Sequence, residues 1–351
     1  MKMKNILITG GCGFIGSHTC VQILKEGIDV CIIDSLINSS EKTIYNIEKI
    51  ISMGENPKSG KLFFRKGDLR DISFVDNVFK EFLENNNPFE FVIHFAALKS
   101  VEKSVETPLD YYDCNLNTTL NVLKTMDKFK CNNFIFSSSA TVYDPNVEGK
   151  FKENSPRNPV NPYGNTKLLI EKMLEDISAS NRKKWKIANL RYFNPVGAHE
   201  SGLIGENSLK ECTNLFPEIL KVASGEKDYL SIFGKDWPTP DGTCIRDYIH
   251  VVDLADAHLA TMYFLLENNS QIISINIGTG QGLSVKEIVD KFIDINKVSI
   301  PYTFVERRKG DPAFEVADNS LALKLLNWSP KKNIDEMCSD ALNWLRILKS
   351  K

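Results

Sequence analysis

Short apolar runs alternate with amphipathic stretches along the first two hundred residues of the chain. Apolar runs of about four to eight residues are typical of buried strands, and the stretches between them have helical spacing. The predicted strands are 5–9, 28–33, 62–65, 89–95, 133–136 and 186–193. Because strands that alternate with helices favour parallel β-α-β connections, the pattern predicts an α/β fold with a Rossmann-type doubly wound parallel sheet.

The turn after the first apolar run has the sequence GGCGFIG, at Gly10–Gly16. Glycines at this spacing permit a tight turn and a close approach of the backbone to a pyrophosphate, which the next helix would face with its N-terminus. Asp34 ends the second run, where a carboxylate can bind an adenosine ribose. No arginine follows it at 35 or 36 to hold a 2′-phosphate. The segment therefore predicts a dinucleotide site that prefers NAD to NADP.

The alternating rhythm weakens after residue 195. Residues 199–245 read as loops with short helices, and a strand-to-helix unit begins at Arg246. The tail from Ser320 has a helical pattern. We therefore predict an NAD-binding domain over 1–195, with a chain return around 246–277, and a smaller mixed α/β substrate domain over 196–351.

Composition and cysteine spacing exclude several classes of function. The 351 residues are 42% apolar and 25% charged, with a formal net charge of −2, which gives no footprint for nucleic acid or an anionic membrane. The eight cysteines form no C-x-x-C pair and no zinc-like spacing with histidine, so we expect buried, reduced thiols and no metal. Because the first strand starts almost at once and no apolar run approaches ~18 residues, we expect a cytoplasmic protein without a leader or membrane span.

Tyr163 and Lys167 stand four residues apart at the start of a predicted helix. At this spacing two side chains share one helix face, about 6 Å apart. A nearby positive charge favours the phenolate and lowers a tyrosine pKa from its usual value of about 10. The pair can therefore be a general base with its activator, although the same spacing is also common in solvated surface pairs.

Further candidate ligand-binding side chains follow the third, fourth and fifth apolar runs, where ligands bind in doubly wound sheets. Asp68 could accept a hydrogen bond from an adenine amino group, or it could cap the helix that starts near Ile72. Lys99 follows two small residues and could hold a phosphate or a ribose hydroxyl, or it could be a surface lysine. The serines at 137–139 form either a hydroxyl-rich site or a polar turn.

Several segments resemble one protein family from residue 4 to about residue 345. GGCGFIGSH, SSSATVY and YGNTK are similar to the extended short-chain dehydrogenases/reductases, and RYFNPVGAHESG and DGTCIRDYIHV resemble, more narrowly, the UDP-glucose 4-epimerases. The resemblance implies reversible inversion at C4 of a UDP-hexose through a 4-keto intermediate, with tightly bound NAD. It also implies a homodimer that pairs the helices near 108–128 and 163–179.

The resemblance also implies a role for each residue in the matched segments. Tyr163 would be the base at the sugar 4-hydroxyl, Ser139 would share a hydrogen bond with that oxygen, and Lys167 would hold the nicotinamide ribose and lower the tyrosine pKa towards neutrality. The implied NAD ligands are Gly10, Gly13, Phe14, Ile15, Gly16, Asp34, Asn38, Asp68, Leu69, Phe95, Ala96, Lys99, Tyr163 and Lys167. The implied UDP-sugar ligands are Lys99, Ser139, Tyr163, Asn194, Asn214, Leu215, Ser231, Phe233, Arg246, Arg308 and Asp311.

Three positions depart from the pattern of the family. Cys114 replaces an asparagine that usually contacts the cofactor, and Asp144 replaces a glycine. Glu315, after Phe314, falls where small residues admit N-acetylated sugars. Glutamate is mid-sized and charged, which argues against N-acetylated sugars, although a UDP-N-acetylhexosamine 4-epimerase stays an alternative. A UDP-pentose 4-epimerase is a further alternative, because it would share nearly all of these motifs.

Three other activities compete with this interpretation. A 4,6-dehydratase would carry an acid pair soon after the fifth strand, but residues 140–142 are Ala-Thr-Val. A non-catalytic NAD or sugar-nucleotide sensor would not need Ser139, Tyr163 and Lys167 together. A dehydrogenase or reductase that releases a keto product is the runner-up enzyme.

Overall fold

A seven-stranded parallel sheet forms the centre of the molecule in a computed structural model that describes residues 4–54, 58–180, 184–207, 214–308 and 310–350. The strands in chain order are β1 (Asn5–Thr9), β2 (Asp29–Asp34), β3 (Leu62–Lys66), β4 (Phe91–His94), β5 (Asn133–Ser139), β6 (Lys186–Tyr192), β7 (Asn194–Val196), β8 (Leu230–Phe233), β9 (Ile245–His250), β10 (Gln271–Ile277), β11 (Gly282–Ser284), β12 (Tyr302–Val305) and β13 (Phe314–Glu315). The main sheet has the order β10-β6-β5-β4-β1-β2-β3. The predicted α/β fold is confirmed.

Helices cover both faces of this sheet. They are α1 (Phe14–Lys25), α2 (Lys42–Met53), α3 (Ile72–Glu84), α4 (Val101–Glu106), α5 (Pro108–Phe129), α6 (Pro162–Ala179), α7 (Leu215–Ala223), α8 (Val251–Glu267), α9 (Val285–Asn296), α10 (Ser320–Leu326) and α11 (Ile334–Lys349). One face packs against α1, α2 and α8, and the other against α3, α5 and α6. Burial on both faces explains why the strands read as continuous apolar runs rather than alternating ones.

The chain order of the strands places a ligand crevice. From β1 the chain passes to β2 and β3 on one side of the sheet. It then crosses back to β4, which pairs with β1 on the other side. The carboxyl ends of β1 and β4 therefore flank a topological switch point, where doubly wound sheets bind their ligands. The glycine turn follows β1 directly, so the fold brings this turn to the crevice.

Two helix starts near this edge have side-chain caps. The Asp71 carboxylate accepts hydrogen bonds from the N–H groups of Ser73 and Phe74 at the start of α3. The Asn161 side chain accepts from the Gly164 N–H at 2.8 Å, and Pro162 occupies the first turn of α6, where its missing N–H costs nothing. The Asn161 cap and Pro162 fix where α6 begins, and so they fix the position of Tyr163.

Strand boundaries differ modestly from the sequence predictions. β5 extends to Ser139, three residues beyond the predicted end, because it pairs with β6 along its whole length up to Tyr192. The serines at 137 and 138 are therefore strand residues rather than a turn, and Ser139 caps the short 3₁₀ turn that follows.

The second half of the chain builds two smaller sheets and also returns to the main one. β9 pairs with β7, β11 and β13, while β8 and β12 form a separate parallel pair. The chain then passes through α8, which packs on α1, into β10 at the edge of the main sheet. The exact division into two domains stays a prediction.

Three general features bear on function. Within the described ranges, no helix is both long and apolar enough to cross a membrane. In that same part of the chain, no three His, Cys, Asp or Glu side chains are grouped to hold a metal ion. The seven described cysteines are free thiols, and Cys212 lies outside the described residues.

Candidate active site

A cavity of about 400 Å³ opens at the carboxyl edge of the main sheet. All of the predicted NAD ligands line it, together with three predicted substrate residues that are not NAD ligands, namely Ser139, Asn194 and Asn214. The predicted residues among its walls are Gly10, Gly13, Phe14, Ile15, Gly16, Asp34, Asn38, Asp68, Leu69, Phe95, Ala96, Lys99, Ser139, Tyr163, Lys167, Asn194 and Asn214. The fold therefore brings segments from β1 to α7 around one space.

The glycine turn at the N-terminus of α1 is too crowded for side chains. Gly10 has φ +69°, and a Cβ there would lie 2.7 Å from the backbone nitrogen of Ala96. A Cβ on Gly16 would lie 2.5 Å from the carbonyl oxygen of Gly10. Because Gly13 offers no side chain to cap α1, the first N–H groups of the helix can receive an anion. This geometry fits a dinucleotide pyrophosphate.

Asp34 is held rigidly at the end of β2. One carboxylate oxygen accepts from the Cys12 N–H at 3.0 Å, and the other accepts from the Leu36 N–H and the Ser39 hydroxyl, both at 2.9 Å. The side chain is buried and lines the cavity. It therefore presents a fixed acceptor where a ribose diol of NAD would lie.

Asp68 does not cap a helix, so one of the two alternatives for this residue is wrong. Asp71 caps α3 instead, and the Asp68 carboxylate accepts from the guanidinium of Arg70 at 2.7 Å. The guanidinium also donates to Asp113, at 2.9 Å. Hydrogen bonding to Arg70 lowers the pKa of Asp68, which keeps it an acceptor at the cavity wall.

Lys99 forms an ion pair with the segment that follows β7. Its ammonium is 2.8 Å from the Glu206 carboxylate, whose side chain is only 9% exposed. Cys114 lines the cavity nearby, whereas the Asn115 amide points away from it and binds the backbone of Leu98. Asn115 therefore does not take the place of the asparagine that Cys114 replaces.

Tyr163, Lys167 and Ser139 meet at the junction of α6 and β5. The Lys167 ammonium donates to the backbone carbonyl oxygen of Ser137 at 2.7 Å and lies 5.6 Å from the centre of the Tyr163 ring. The Ser139 side chain is hydrogen-bonded to Tyr163 and accepts from the Thr141 hydroxyl at 3.0 Å. The phenol, the ammonium and a serine hydroxyl are therefore together at one end of the cavity.

The protein's own groups leave the pKa of Tyr163 above its usual value, so the pKa near neutrality, which also needs the charge of bound nicotinamide, stays a prediction. Burial raises the pKa of the phenol above 10, while the Ser139 hydrogen bond and the charge of Lys99 oppose the rise. Burial also lowers the pKa of Lys167 to about 7, so this lysine is only partly charged at neutral pH. A partly charged lysine is a weak activator of the phenol.

The remaining predicted substrate residues lie outside the walls of this cavity, as far as the described residues define them. They are Leu215, Ser231, Phe233, Arg246, Arg308 and Asp311. Leu215 begins α7 and packs on the core of the second half, and Ser231 lies on β8. The structure therefore divides the predicted substrate residues between the cavity and a separate cluster.

That separate cluster contains the two arginines. The Arg308 guanidinium lies 4.1 Å from the centre of the Phe233 ring, and Arg246 lies 3.9 Å from the Asp311 carboxylate. Glu315 pairs with Arg246 in the register of β13 and β9. Burial raises the pKa of Glu315, and the charge of Arg246 opposes that rise. The cluster therefore combines an aromatic ring and two guanidiniums with two carboxylates.

Sequence reasoning missed several polar residues of the cavity, and two of them are Glu206 and Tyr192. Glu206 lines it opposite Lys99, and Tyr192 lines it at the end of β6 with its hydroxyl 2.5 Å from the His258 ring nitrogen. Tyr192 could have been found, because it ends a predicted strand at the same sheet edge as Ser139. Glu206 gave no such signal, since it lies in an irregular segment.

The Asp144 departure is explained by a turn. Its carboxylate accepts from the N–H and the side-chain amide of Asn146 at 2.9 and 2.8 Å, and from Asn158 at 3.2 Å. Asp144 is not among the described non-glycine residues with positive φ, so the backbone at this position does not require a glycine.

Known proteins resemble this chain along nearly its whole length. A family model described as GDP-mannose 4,6 dehydratase matches residues 7–341. UDP-glucose 4-epimerase 1 of Oryza sativa subsp. japonica is 45% identical over 97% of this chain and 94% of its own. A bifunctional UDP-glucose and UDP-xylose 4-epimerase of Arabidopsis thaliana is 44% identical over 97% of this chain and 95% of its own.

Solved structures agree with these relatives. UDP-glucose 4-epimerase from Stenotrophomonas maltophila, with bound NAD and formylated UDP-arabinopyranose, has a TM-score of 0.91 at 40% identity and covers 99% of each chain. The enzyme from Bifidobacterium longum, in complex with NAD⁺ and UDP, has a TM-score of 0.90 at 42% identity and covers 98% of each chain.

The dinucleotide crevice beside the tyrosine–lysine pair places the molecule in the short-chain dehydrogenase/reductase class. Within that class, full-length similarity distinguishes one group, since the relatives at 45% and 44% identity are both 4-epimerases. The chain belongs to the UDP-glucose 4-epimerase family.

Proposed function

We propose that this protein interconverts UDP-glucose and UDP-galactose by inverting C4, with NAD held tightly throughout the cycle. The observation that carries the proposal is the meeting of Tyr163, Ser139 and Lys167 at one end of a cavity with a dinucleotide turn at its wall. Inversion at C4 requires that hydrogen leave one face of the sugar and return to the other. A single base and a cofactor regenerated in each cycle are sufficient for this chemistry.

Tyr163 holds the proton of the reaction. Its phenolate takes the proton of the sugar 4-hydroxyl and later returns it to the 4-keto oxygen, so it acts first as a base and then as an acid. Ser139 donates a hydrogen bond to the same oxygen and orients it. Lys167 binds the nicotinamide ribose, and the positive charge of the ring adds to its effect on the phenol.

The chain's own residues fit NAD closely. The turn at Gly10 and Gly16 excludes side chains, the Asp34 carboxylate is fixed by three donors, and the Asp68 carboxylate is an acceptor in the cavity wall. Bound NAD supplies the acceptor and donor of hydride at C4. The residues around it bind the cofactor, orient it and exclude water.

The arginine cluster holds the UDP group in this proposal. Guanidinium forks match the pyrophosphate oxygens, which suits Arg246 and Arg308. Phe233 packs on uracil, and Asp311 accepts from the uridine ribose hydroxyls. Asn194 and Asn214 line the cavity towards the sugar. Anchoring UDP there leaves the 4-keto sugar free to turn between its two faces.

A UDP-pentose is the second candidate substrate. The observation in its favour is the Arabidopsis thaliana relative named for both UDP-glucose and UDP-xylose. A pentose lacks C6 and needs no more room at C4 than a hexose. Activity on N-acetylated sugars is less favoured, because Glu315 is larger than the residues that admit them and lies beside Arg246.

A conversion assay without added NAD tests the proposal. Purified protein is mixed with UDP-galactose, and the products are separated by chromatography while absorbance at the NADH wavelength is followed. UDP-glucose that appears without added cofactor supports an epimerase with retained NAD. Binding without conversion supports the sensor, and stoichiometric NADH with a released keto sugar supports the dehydrogenase. Either of these results contradicts the proposal.

We also propose a homodimer in a reducing compartment such as the cytoplasm. Leu109 of α5 and Leu169 of α6 are large apolar side chains that are 81% and 42% exposed, which supports pairing of these two helices with a second copy. The seven described free thiols support a reducing compartment. A solution mass of one chain by light scattering contradicts the dimer.

A further inference from the structure

The triple serine of β5 contacts one face of α6 at three consecutive positions. The contacts pair Ser137 with Lys167, Ser138 with Glu171 and Ser139 with Tyr163. Tyr163, Lys167 and Glu171 are spaced by four residues, so they share a face of the helix. The first two of these helix residues belong to the proposed reaction centre. Glu171 has no role in it so far.

Glu171 is a fully buried carboxylate. One oxygen accepts from the Ser138 hydroxyl at 2.6 Å and from Arg191 Nε at 2.9 Å. The other accepts from Arg191 Nη2 at 2.7 Å and from Arg157 Nη1 at 3.2 Å. Four donors on one carboxylate leave it a single orientation, and they fix the helix that carries it.

Arg191 extends the same network across the sheet. It lies opposite Ser138 in the register of β5 and β6, and its side chain is 2% exposed. Its Nη1 donates to the Tyr143 hydroxyl and to the Glu153 carbonyl oxygen, both at 2.8 Å. The Tyr143 hydroxyl in turn donates to Asn276 of β10 at 2.6 Å. The charged pair is therefore anchored to three neighbouring strands and fully hydrogen-bonded.

Stability alone does not explain a buried ion pair of this kind. Replacing such a pair with apolar side chains of similar volume is often neutral or stabilising, because the ions lose their hydration. Directional bonds instead fix one arrangement, whereas apolar packing alone tolerates small rotations of a helix about its axis. A rotation of α6 would move the Tyr163 hydroxyl away from Ser139, because both depend on the same helix–strand contact.

We infer that Glu171 is a positioning residue for the reaction proposed above, acting through Ser138 and Arg191. It holds the face of α6 against the end of β5, so that the Tyr163 and Ser139 hydroxyls meet at the same sugar oxygen. Glu171 itself touches neither the sugar nor the cofactor in this account. The inference rests on the proposed 4-epimerase activity, because its role is defined by the geometry of that reaction.

Ser138→Ala is the sharpest test. It removes one bond between β5 and Glu171 and leaves the ion pair with Arg191 intact, so the protein is expected to fold. Glu171→Gln would leave the buried Arg191 without its opposing charge and is a poorer test for that reason. Thr125→Val is the matched control. Thr125 is also fully buried, its hydroxyl donates to the Asp76 carboxylate at 2.6 Å, and it lies outside the site.

The expected result is a split between kcat and binding. Displacement of a reacting group by about 1 Å can lower the rate roughly 100-fold, so we expect kcat of Ser138→Ala to fall roughly 10- to 100-fold. Ser138 lines the cavity, but its hydroxyl donates to Glu171, so KM for UDP-galactose and the NAD content should stay within about twofold of wild type. Thr125→Val should keep the wild-type kcat, even if its midpoint of urea unfolding falls as far as that of Ser138→Ala.

Two outcomes overturn the inference while the wild type remains active. One is an unchanged kcat in Ser138→Ala. The other is a kcat of Ser138→Ala that falls only together with NAD content and with a rise in KM, or that falls equally in Thr125→Val. Either pattern would be explained by a general loss of rigidity in the variant rather than by a displaced Tyr163. A wild-type protein that converts no UDP-galactose instead overturns the proposed function, and the positioning role with it.

Discussion

The Lys167 ammonium lies 5.6 Å from the centre of the Tyr163 ring, in a pocket where Lys167 is only 3% exposed. Because burial lowers the pKa of this lysine to about 7, its charge changes in the pH range where the protein would work. The charge that should activate the phenol is thus itself sensitive to pH. Two consequences can be measured, one for stability and one for turnover.

Lys167→Met should stabilise the protein most at low pH. Below pH about 7 the folded protein carries a buried ammonium at a desolvation cost, and this cost is smaller at higher pH because the folded lysine is then neutral. Between pH about 7 and about 10.4 the unfolded chain binds the extra proton, so wild-type stability gains on the variant as pH rises. Urea unfolding of both proteins at pH 6 and pH 9 checks this.

The control for this comparison is Lys186→Met. Lys186 also donates to a backbone carbonyl oxygen, that of Leu266 at 3.1 Å, but it lies outside the site. Its free energy of unfolding is compared with that of wild type at the same two pH values, and the narrowing in Lys167→Met should exceed any change seen in Lys186→Met. If the difference in free energy of unfolding between Lys167→Met and wild type is constant or grows with pH, burial does not act on this ammonium as described.

Gly10→Ala should release NAD from the purified protein. The new Cβ would lie 2.7 Å from the Ala96 backbone nitrogen, and strain of this kind costs about 1–3 kcal/mol, which is roughly 5- to 150-fold in affinity. Gly149→Ala is the matched control, because Gly149 has φ +75° but nothing within 4 Å of its Cβ position. Cofactor content is read from absorbance after acid release. Equal NAD loss in both variants would contradict a specific role for the turn.

Arg308→Gln should weaken UDP binding roughly 10- to 100-fold, since a hydrogen bond to a charged group contributes about 1.5–3 kcal/mol. The adjacent Arg307 gives a matched control. Its guanidinium lies 4.2 Å from the centre of the Trp237 ring, as Arg308 lies 4.1 Å from that of Phe233. Calorimetric titration with UDP should leave Arg307→Gln near wild type. Equal losses of UDP affinity in the two variants would contradict the placement of the UDP group at Arg308.

Glu315→Ser should raise activity on UDP-N-acetylglucosamine relative to UDP-glucose. Room for one or two extra heavy atoms is commonly worth about tenfold or more in kcat/KM. Removal of a carboxylate beside Arg246 also lowers the local negative charge. The ratio of kcat/KM for the two sugars checks the prediction, and a wild-type protein that already accepts both equally would rule out Glu315 as the gate.

The nucleotide half of the molecule could be read from the sequence because its signals are local. A glycine turn followed by a helix and a strand that ends at Asp34 specifies its own fold and the place of its ligand. The tyrosine–lysine pair was equally local, and α6 presents it to the cavity. Each of these patterns lies within one β-α unit, so nearby residues alone determine its geometry.

What could not be read depends on contacts between distant segments. β7, β11 and β13 are two or three residues long, and they exist because each pairs with β9. The Glu171–Arg191 pair joins residues twenty positions apart, and an arginine within an apolar strand was its only trace in the sequence. The raised pKa of Tyr163 likewise depends on burial, which spacing does not reveal.

Tyr163→Phe tests the central claim most directly, because it removes one hydroxyl from the proposed proton carrier and little else. Loss of a general base lowers turnover by about 10²–10⁴-fold, and UDP binding and NAD content should stay near wild type. The control is Tyr263→Phe, which removes a phenol hydroxyl that contacts Glu26 at the surface, at 3.1 Å.

The deciding measurement is therefore kcat for conversion of UDP-galactose to UDP-glucose by Tyr163→Phe, with UDP affinity measured on the same preparation. The account predicts a kcat at least about 100-fold below that of wild type and of Tyr263→Phe, with unchanged UDP affinity. A kcat close to wild type in Tyr163→Phe would contradict it.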